Sequence, residues 1–312
     1  MDLKPLQDQV VVLMGASSGI GREAAKRFAA RGASVVVSAR GEEDLDSLAA
    51  EIRSAGGQVV AVAADTTDAA AVDAVALAAV TNFGRLDTWV HLAAVGLWAT
   101  FEQTTLEEFR RVIDVDLMGQ VYGARAALPH LRREGRGALV HVSSIEAKRA
   151  FPLHSAYAAA KHGVDGFLEA LRVELRHEGA PIAVTQIMPG TIDTPIFDKA
   201  RTKIGRKPMG APPIYAPETV AEMVLHAAEH GGRDYCVGGA ARLFALQQRM
   251  SPRLLDAFLA SRLGWRGMMT SEPKSEDAPD NMFEPLPGHG TRDGFRALRH
   301  SASDWVARRM SR

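Results

Sequence analysis

Short apolar segments alternate with longer amphipathic segments through the first 240 residues. Six runs rich in Val, Ile and Ala predict strands: Gln9–Met14, Ser34–Ala39, Val59–Ala63, Thr88–Leu92, Ala138–Ser143 and Ile182–Ile187. Five segments between them have the apolar spacing of helices, near 20–31, 43–55, 69–83, 106–133 and 155–178. Four of these helices are followed by a glycine that can end them: Gly32, Gly56, Gly84 and Gly179. Strands that are apolar on both faces favour a doubly wound α/β fold with a parallel sheet.

The pattern changes after about residue 240. Residues 240–263 predict one or two helices with a shared apolar face, formed by Leu243, Leu246, Met250, Leu254 and Phe258. Residues 271–294 are rich in Pro and Gly, which favours a loop or linker, and a short helix is predicted near 302–310. The extension 241–312 holds 12 Lys and Arg against 8 Asp and Glu. Its charge of about +4 balances about −4 on the rest, which suggests that it docks there.

Composition narrows the classes of function without indicating chemistry. Lys plus Arg and Asp plus Glu each total 37, so no net charge favours nucleic acid or an anionic membrane as partner. Cys236 is the single cysteine, which excludes an internal disulfide and fits a cytoplasmic protein. No run of 18 apolar residues predicts a membrane span, and the opening apolar run is too short for a signal peptide. The His, Cys and acidic residues lack metal-ligand spacing, so no metal site is expected.

A glycine-rich turn joins the first strand to the first helix. Its sequence, Gly15 to Gly21, lets the backbone bend sharply and approach a pyrophosphate, while the helix N-terminus offers free N–H groups. Glycines alone could serve a structural turn, but the strand and helix around them favour dinucleotide binding. The predicted ligands are Gly15, Ser17, Ser18, Gly19, Ile20 and Gly21.

The end of the second strand indicates which dinucleotide binds. Arg40 stands there with no carboxylate before Glu42, and a guanidinium can pair with a ribose 2′-phosphate. NADP(H) is therefore favoured over NAD(H), although Arg40 could merely solvate a loop. Asp65 and Thr66 follow the third strand at the same edge. Asp65 is predicted either to bind the adenine amine or to cap the next helix.

Tyr157 and Lys161 lie four residues apart at the start of a predicted helix, so both can face one cleft. A lysine charge favours the ionised phenol and lowers its pKa, as a general acid/base requires. Ser144 ends the preceding strand at the same sheet edge. Alone it would be a turn or cap serine, but beside Tyr157 its hydroxyl could hold a substrate oxygen.

These features resemble the short-chain dehydrogenase/reductase family over about residues 7–240. The similar segments, in family order, are Gly15–Gly21, Asp65-Thr66, Asp114–Gly119, Val142–Ser144, Tyr157–Lys161 and Pro189–Thr194. The resemblance implies a Rossmann-type sheet of about seven strands and hydride transfer between NADP(H) and a small-molecule carbonyl or secondary alcohol. It implies an NADP-binding catalytic domain at 1–240, with 241–312 packed on it or on a partner subunit.

The resemblance also implies residue roles. Tyr157 would be the general acid/base, Ser144 the anchor of the substrate oxygen, and Lys161 a ribose ligand that activates Tyr157. Further cofactor contacts are implied at Ala93, Pro189, Gly190, Ile192 and Thr194. The two long helices would form a homodimer or homotetramer interface.

Two positions depart from the family pattern. His91 begins a stretch where the family has Asn-Asn-Ala-Gly, which puts local architecture in doubt. Asp116 replaces an asparagine that helps to position a proton-relay water. Its charge is expected to change the titration of Lys161 and Tyr157 while activity persists.

Several further residues carry weaker signals. Glu146, Lys148, Arg149 and His154 could edge the substrate pocket; a solvated loop is favoured for most, with His154 the candidate for substrate contact. The basic residues of 196–217 could steer an acidic substrate or the NADP phosphates, or lie on a solvated face: Lys199, Arg201, Lys203, Arg206 and Lys207. Trp265, Met268 and Met269 could cover the pocket mouth, although core or interface packing is favoured.

Two other functions stay open at this point. A catalytically weak or inactive nucleotide-binding or interaction protein of the same fold is suggested by His91 and Asp116. A methyltransferase also places a glycine-rich turn after its first strand, but it gives no reason for the Tyr157 and Lys161 pair.

Overall fold

A seven-stranded parallel sheet forms the centre of the computed structural model, which describes residues 3–298 apart from the side chain of Ala240. Its strands are β1 Val10–Met14, β2 Ser34–Ala39, β3 Gln58–Ala63, β4 Thr88–His91, β5 Gly137–Val142, β6 Ile182–Pro189 and β7 Asp234–Val237. They lie in the order β3-β2-β1-β4-β5-β6-β7. The predicted doubly wound, Rossmann-type fold with about seven strands is confirmed.

Helices connect the strands and continue beyond the sheet. They are α1 Gly19–Ala30, α2 Glu42–Ser54, α3 Ala69–Phe83, α4 Leu106–Ile113, α5 Gly119–Arg133, α6 Ser155–His177, α7 Ile196–Lys199, α8 Pro217–His230, α9 Gly239–Met250, α10 Pro252–Ala260 and α11 Arg262–Arg266. Helix bounds agree with the predictions to within about two residues except at 240–263, where three helices replace the predicted one or two, and at 106–133. That segment is two helices joined by a wider π-helical turn, Asp114–Met118. No helix in residues 3–298 is long and apolar enough to cross a membrane.

The two faces of the sheet bury separate cores. Alternate strand residues such as Val11 and Leu13 pack with α1, α2 and α8, whereas Val10 and Val12 pack with α3, α5 and α6. Because both faces are covered, β1, β4, β5 and β6 are buried at every position. This double burial explains why the strands are continuous apolar runs.

Positive φ angles at the four predicted helix-ending glycines support those boundaries. The angles are +87°, +83°, +81° and +69° at Gly32, Gly56, Gly84 and Gly179. A residue with a Cβ would be strained in this left-handed region.

The predicted apolar face of the extension is not buried. Its residues are between 47% and 74% exposed: Leu243, Leu246, Met250, Leu254 and Phe258. Other apolar residues of α10, Leu255 and Leu259, face the body of the protein instead. The helix predicted near 302–310 lies outside the described residues.

Two buried histidines lie side by side in the sheet. His91 on β4 is paired with His141 on β5, and their rings are stacked with centroids 6.1 Å apart. His91 contacts Thr66 Oγ1 at 3.3 Å, and a Cβ at Gly123 of α5 would lie only 2.6 Å from its Nδ1. The architecture around this departure from the family pattern is therefore intact, and Gly123 leaves room for the larger ring.

Buried histidine makes the fold sensitive to acid. Burial, followed by the nearby Arg172, lowers the pKa of His141 to about 3. An unfolded histidine has a pKa of about 6.5, so between these values only the unfolded chain binds the proton. Stability contributed by the neutral ring is therefore lost as the pH falls, by about 2 kcal/mol between about pH 7 and pH 5.

The variant His141→Asn tests this loss, since its amide can still donate to Gln120 Oε1, the partner of His141 Nδ1 at 2.9 Å. Urea unfolding of His141→Asn at both pH values should show a smaller acid-induced loss of unfolding free energy than in wild type. His177→Asn is the matched control because His177 is exposed, and it should keep the full loss. An equal loss of unfolding free energy in wild type and both variants would contradict the assignment of this acid sensitivity to His141.

Candidate active site

A cleft opens at the carboxyl ends of β1 and β4, where the order of strands reverses direction. In doubly wound sheets, this switch point is the place where dinucleotides bind. The cleft measures about 200 Å³. Its lining includes the predicted cofactor residues Gly15, Ser17, Ser18, Gly19, Ile20, Gly21, Arg40, Asp65, Thr66, Ala93 and Thr194.

The glycine-rich turn forms a cradle that side chains would fill. Gly15 has φ +95°, and a Cβ there would collide with the backbone of Ala93. A Cβ at Gly21 would collide with the Gly15 carbonyl oxygen. The turn therefore brings backbone N–H groups and the N-terminus of α1 against the cleft without side chains in between, as a pyrophosphate requires.

Arg40 ends β2 at the rim of the cleft and binds the C-terminal part of the chain. Its Nη1 donates to Phe283 O at 2.7 Å and its Nη2 to Asn281 O at 2.6 Å. Arg40 therefore holds a loop of the extension, and a contact with NADP(H) stays a prediction. Within residues 3–298, two of its five N–H donors are occupied.

Asp65 lies beside Arg40 and does not cap α3. Its Oδ1 accepts from Thr67 N at 2.9 Å, and its Oδ2 pairs with Arg111 Nη2 at 2.9 Å. Asp68 is the cap, with its carboxylate accepting from two N–H groups of the first turn. The capping alternative for Asp65 is therefore wrong.

Residues 281–290, here called the strap, run across the cleft. Gly19 N donates to Gly290 O at 3.1 Å, and Lys199 Nζ donates to Leu286 O at 3.0 Å. Lys199 is 9% exposed and lines the cleft, so the alternative of a solvated face does not describe it, and a contact with the cofactor phosphates stays a prediction. Like Arg40, it is bonded to backbone carbonyls and keeps its positive charge available to an anionic ligand.

A second cavity of about 160 Å³ adjoins the cleft and shares Ile20, Leu92 and Thr194 with it. Its lining includes the predicted residues Ser144, Tyr157, Lys161, Pro189, Gly190, Ile192 and Thr194. Met268 also lines it, while Trp265 is 39% exposed. The structure thus brings together the serine, tyrosine and lysine that the sequence singled out.

Two elements position these three side chains. Ser144 follows β5 and accepts from Glu146 N at 3.1 Å, so it caps a short 3-10 turn as well as facing the cavity. Tyr157 and Lys161 stand one turn apart on α6. The Lys161 ammonium is almost fully buried, 5.0 Å from the centre of the Tyr157 ring. Buried cations are costly, so Lys161 needs a nearby anion.

Asp116 supplies that anion from the π-helical turn. It is fully buried; its Oδ1 accepts from Val95 N at 2.9 Å, and its Oδ2 lies 3.6 Å from Lys161 Nζ. Burial raises the pKa of Asp116, against the opposing effects of Lys161 and Val95. Asp116 does not line either cavity, so it acts on the site through its charge, which affects both Lys161 and Tyr157.

The electrostatic environment of Tyr157 differs from the sequence prediction. Burial raises the pKa of the phenol well above its ordinary value, and the Asp116 and Glu146 carboxylates raise it further. Ser144 acts in the opposite direction. The predicted lowering by Lys161 does not prevail, because burial and then the nearby carboxylates raise the pKa of the phenol.

The segment between Ser144 and Tyr157 is more buried than predicted. Glu146 and His154 are 7% and 5% exposed, and Glu146 Oε1 lies 2.7 Å from His154 Nδ1. A solvated loop is therefore the wrong description for these two residues. Neither residue belongs to a periodic sequence pattern. The only sequence signal for this pair was the closeness of His154 to Tyr157 along the chain.

Three of the remaining basic residues of 196–217 pair with acidic groups. Lys203 binds Glu108 at 2.8 Å, whereas Arg201 and Lys207 bind the extension at Asp280 and Asp293. Arg206 is exposed and donates to Ser271 O at 3.0 Å.

Ion pairs between the extension and the body run in both senses. Arg201 and Lys207 are body cations bound to extension anions, whereas Arg292 of the extension binds Glu218 of the body at 2.6 Å. The extension therefore contacts the body, but its ion pairs do not simply follow the net charges of about +4 and −4.

Residues 3–298 contain no group of three His, Cys, Asp or Glu side chains placed to hold a metal ion.

Comparison with known proteins agrees with this geometry. The short chain dehydrogenase family model matches residues 9–205. The uncharacterized oxidoreductase YxnA of Bacillus subtilis (strain 168) is 38% identical over 303 residues, 96% of this chain and 85% of YxnA. Dehydrogenase/reductase SDR family member 7B of Xenopus tropicalis is 33% identical over 268 residues, 82% of this chain and 86% of that protein. The 3beta-hydroxysteroid dehydrogenase 1 of Eggerthella lenta is 36% identical over 225 residues, 69% and 85% of the two chains.

The match to YxnA covers nearly the whole chain, so it includes most of the extension as well as the sheet. The family model alone spans more than half of the 312 residues. The chain therefore belongs to the short-chain dehydrogenase/reductase family, a family of oxidoreductases that use a nicotinamide cofactor.

Proposed function

We propose that the protein is an NADP-preferring oxidoreductase that interconverts a carbonyl and a secondary alcohol. The observation that carries this proposal is the shared cavity of Ser144, Tyr157 and Lys161 beside the glycine cradle. A purely structural protein has no need of a hydroxyl, a phenol and a buried ammonium around one cavity. When bound, the dinucleotide supplies the hydride.

The cradle and the cations around it fit the dinucleotide. Gly15 and Gly21 leave no room for side chains, and the first turn of α1 offers N–H groups beyond that of Gly19, which the strap occupies, to a pyrophosphate. Arg40 would hold the ribose 2′-phosphate, since its positive charge is bonded to carbonyls and no carboxylate stands between the end of β2 and Glu42. Lys161 would hold the nicotinamide ribose, and the backbone of 189–194 would hold the nicotinamide.

Each of the three central side chains has a separate task. Ser144 donates a hydrogen bond to the substrate carbonyl oxygen and holds it near the Tyr157 hydroxyl. Tyr157 donates its proton to that oxygen during reduction, and the raised pKa favours the protonated phenol that this step requires. Lys161 then stabilises the phenolate that remains.

Asp116 tunes this proton transfer through its charge. The Asp116 carboxylate raises the pKa of Tyr157, so Asp116→Asn should lower it. Alcohol oxidation needs the phenolate, and the acidic limb of its pH–rate profile should therefore move to lower pH. Activity should persist, because Asn can still accept from Val95 N. An unchanged kcat/KM profile for alcohol oxidation would show that the charge has no such effect.

An inactive member of the fold is the competing function, suggested by His91 and Asp116. The proposal is tested by titrating the protein with NADPH and NADH, using nicotinamide fluorescence, and then screening aldehydes and ketones for cofactor oxidation. We expect tighter binding of NADPH and turnover of at least one carbonyl. Binding of the cofactor without its oxidation by any carbonyl, in wild type and equally in Tyr157→Phe, would favour the inactive protein.

Residues 1–240 are proposed to be the NADP-binding catalytic domain, with 241–312 as an extension packed on it. Support comes from the strap, which binds Arg40 and Lys199 on the body. Cytoplasmic location and a homodimer or homotetramer stay predictions from the sequence.

A further inference from the structure

Three polar groups in the wall of the second cavity have no hydrogen-bond partner within residues 3–298: Trp98 Nε1, Ser143 Oγ and His154 Nε2. Two of them, Trp98 Nε1 and His154 Nε2, belong to neighbouring rings on side chains that are 3% and 5% exposed. Their rings lie with centroids 4.0 Å apart, and both line the cavity of Ser144 and Tyr157. Buried polar groups are almost always paired in native proteins, so this pair indicates a place where a ligand is hydrogen-bonded.

Glu146 fixes the hydrogen-bonding character of the histidine. A carboxylate oxygen only accepts, so the 2.7 Å contact requires His154 Nδ1 to carry the proton. In the neutral ring, Nε2 is then an acceptor with its lone pair free. The other Glu146 oxygen accepts from Phe151 N at 3.4 Å, which holds the carboxylate in place.

The tryptophan beside it has the opposite character, because an indole N–H can only donate. The cavity therefore offers one donor and one acceptor on neighbouring rings. A hydroxyl satisfies both, since it accepts from Trp98 and donates to His154. Apolar residues of the same lining would bind the carbon skeleton: Ile145, Phe151, Phe197 and Met268.

The position of His154 places that hydroxyl close to the reacting group. The His154 ring stacks on Tyr157 with centroids 4.6 Å apart and an angle of 24° between the planes. A substrate whose oxygen binds Tyr157 can therefore reach His154 with a group only a few bonds away.

We propose that Trp98 and His154 form a hydroxyl-recognition subsite, so that the preferred substrate is a ketone with a hydroxyl on the carbon next to the carbonyl. This inference rests on the proposed function, since it places the reacting oxygen at Tyr157. The subsite makes the substrate class an α-hydroxy ketone, or a vicinal diol in the direction of oxidation.

Three ketones test the subsite: acetophenone, its α-hydroxy derivative and its α-methoxy derivative. The methoxy group resembles the hydroxyl in electron withdrawal but cannot donate to His154. Binding to the protein loaded with NADP+ is measured by ligand-observed NMR, because the oxidised cofactor cannot reduce the ketone. We expect the hydroxy ketone to bind about tenfold more tightly than the other two.

Matched variants separate hydrogen bonding from shape. His154→Phe keeps a ring between Trp98 and Tyr157 and should abolish the preference, and Trp98→Phe should weaken it. His154→Gln can donate to Glu146 and still present an acceptor, so it should keep most of the preference. Equal binding of the three ketones by wild type, or a His154→Gln variant that behaves like His154→Phe, would overturn the subsite.

Reduction of the same ketones by NADPH gives a separate readout for the proposed function. Preferential binding without any reduction would count against that function and leave the subsite supported. Reduction of all three at similar kcat/KM would support the function and overturn the subsite.

Discussion

Replacement of Tyr157 by phenylalanine is expected to lower kcat for carbonyl reduction about a thousandfold, within the range of about 10²–10⁴ attributed to general acid catalysis. The phenol hydroxyl is the proton donor in the proposed reaction. Phenylalanine keeps the ring that lies 5.0 Å from Lys161 Nζ and stacks on His154. The geometry of the site should therefore survive while the proton is lost.

Cofactor binding distinguishes this effect from damage to the fold. The dissociation constant for NADPH, measured by nicotinamide fluorescence, should change by no more than about threefold. Tyr122→Phe is the matched control, since Tyr122 on α5 packs against the sheet outside both cavities, and it should keep full activity. Retention of a tenth or more of wild-type kcat, roughly 1.4 kcal/mol or less of lost stabilisation, would contradict the role of Tyr157.

The second large effect is expected at Arg40. Arg40→Leu should raise the dissociation constant for NADPH about a hundredfold, because a charge-assisted hydrogen bond contributes about 1.5–3 kcal/mol. NADH lacks the 2′-phosphate, so its dissociation constant should change by no more than about threefold. Fluorescence titration with both cofactors measures the two constants on one protein sample.

The NADH titration also controls for the strap, since Arg40 holds the carbonyls of Asn281 and Phe283. Loss of the strap would weaken both cofactors to a similar extent. Arg40→Lys keeps the charge without the forked donors, and an intermediate loss of NADPH affinity is expected. Equal weakening of NADPH and NADH in Arg40→Leu would show that Arg40 acts through the strap rather than on the phosphate.

Local sequence signals predicted most of the sheet and helices. Strands such as β1 are apolar throughout because both faces are covered, and this gives a continuous signal. The glycines that end helices have the positive φ that their positions require. The predicted helix over 106–133 failed at Asp114–Met118, because apolar spacing does not distinguish a π-helical turn from ordinary helix.

Contacts between distant segments could not be predicted from the sequence. Arg40 binds residues more than 240 positions away, and its partners are backbone carbonyls. Every residue has a carbonyl, so such a contact leaves no compositional pattern. The Glu146 and His154 pair was missed for a related reason, since burial of a nonrepetitive loop depends on the extension and α7 that cover it.

The raised pKa of Tyr157 likewise could not be predicted from the sequence. Lys161 lies one helical turn from Tyr157, and this spacing predicts a lowered pKa for the phenol. Asp116 and Glu146 reach the phenol from other elements and act in the opposite direction. Their combined effect depends on burial and three-dimensional placement.

The most direct test of the central claim follows deuterium from the cofactor. NADPH labelled at the transferable position of the nicotinamide is mixed with the protein and a carbonyl that the screen identifies, and the alcohol is examined by mass spectrometry. We expect one deuterium in the alcohol for each NADPH oxidised, and almost none with Tyr157→Phe. Cofactor oxidation without deuterium in the alcohol, or the same incorporation with Tyr157→Phe, would contradict carbonyl reduction by this site.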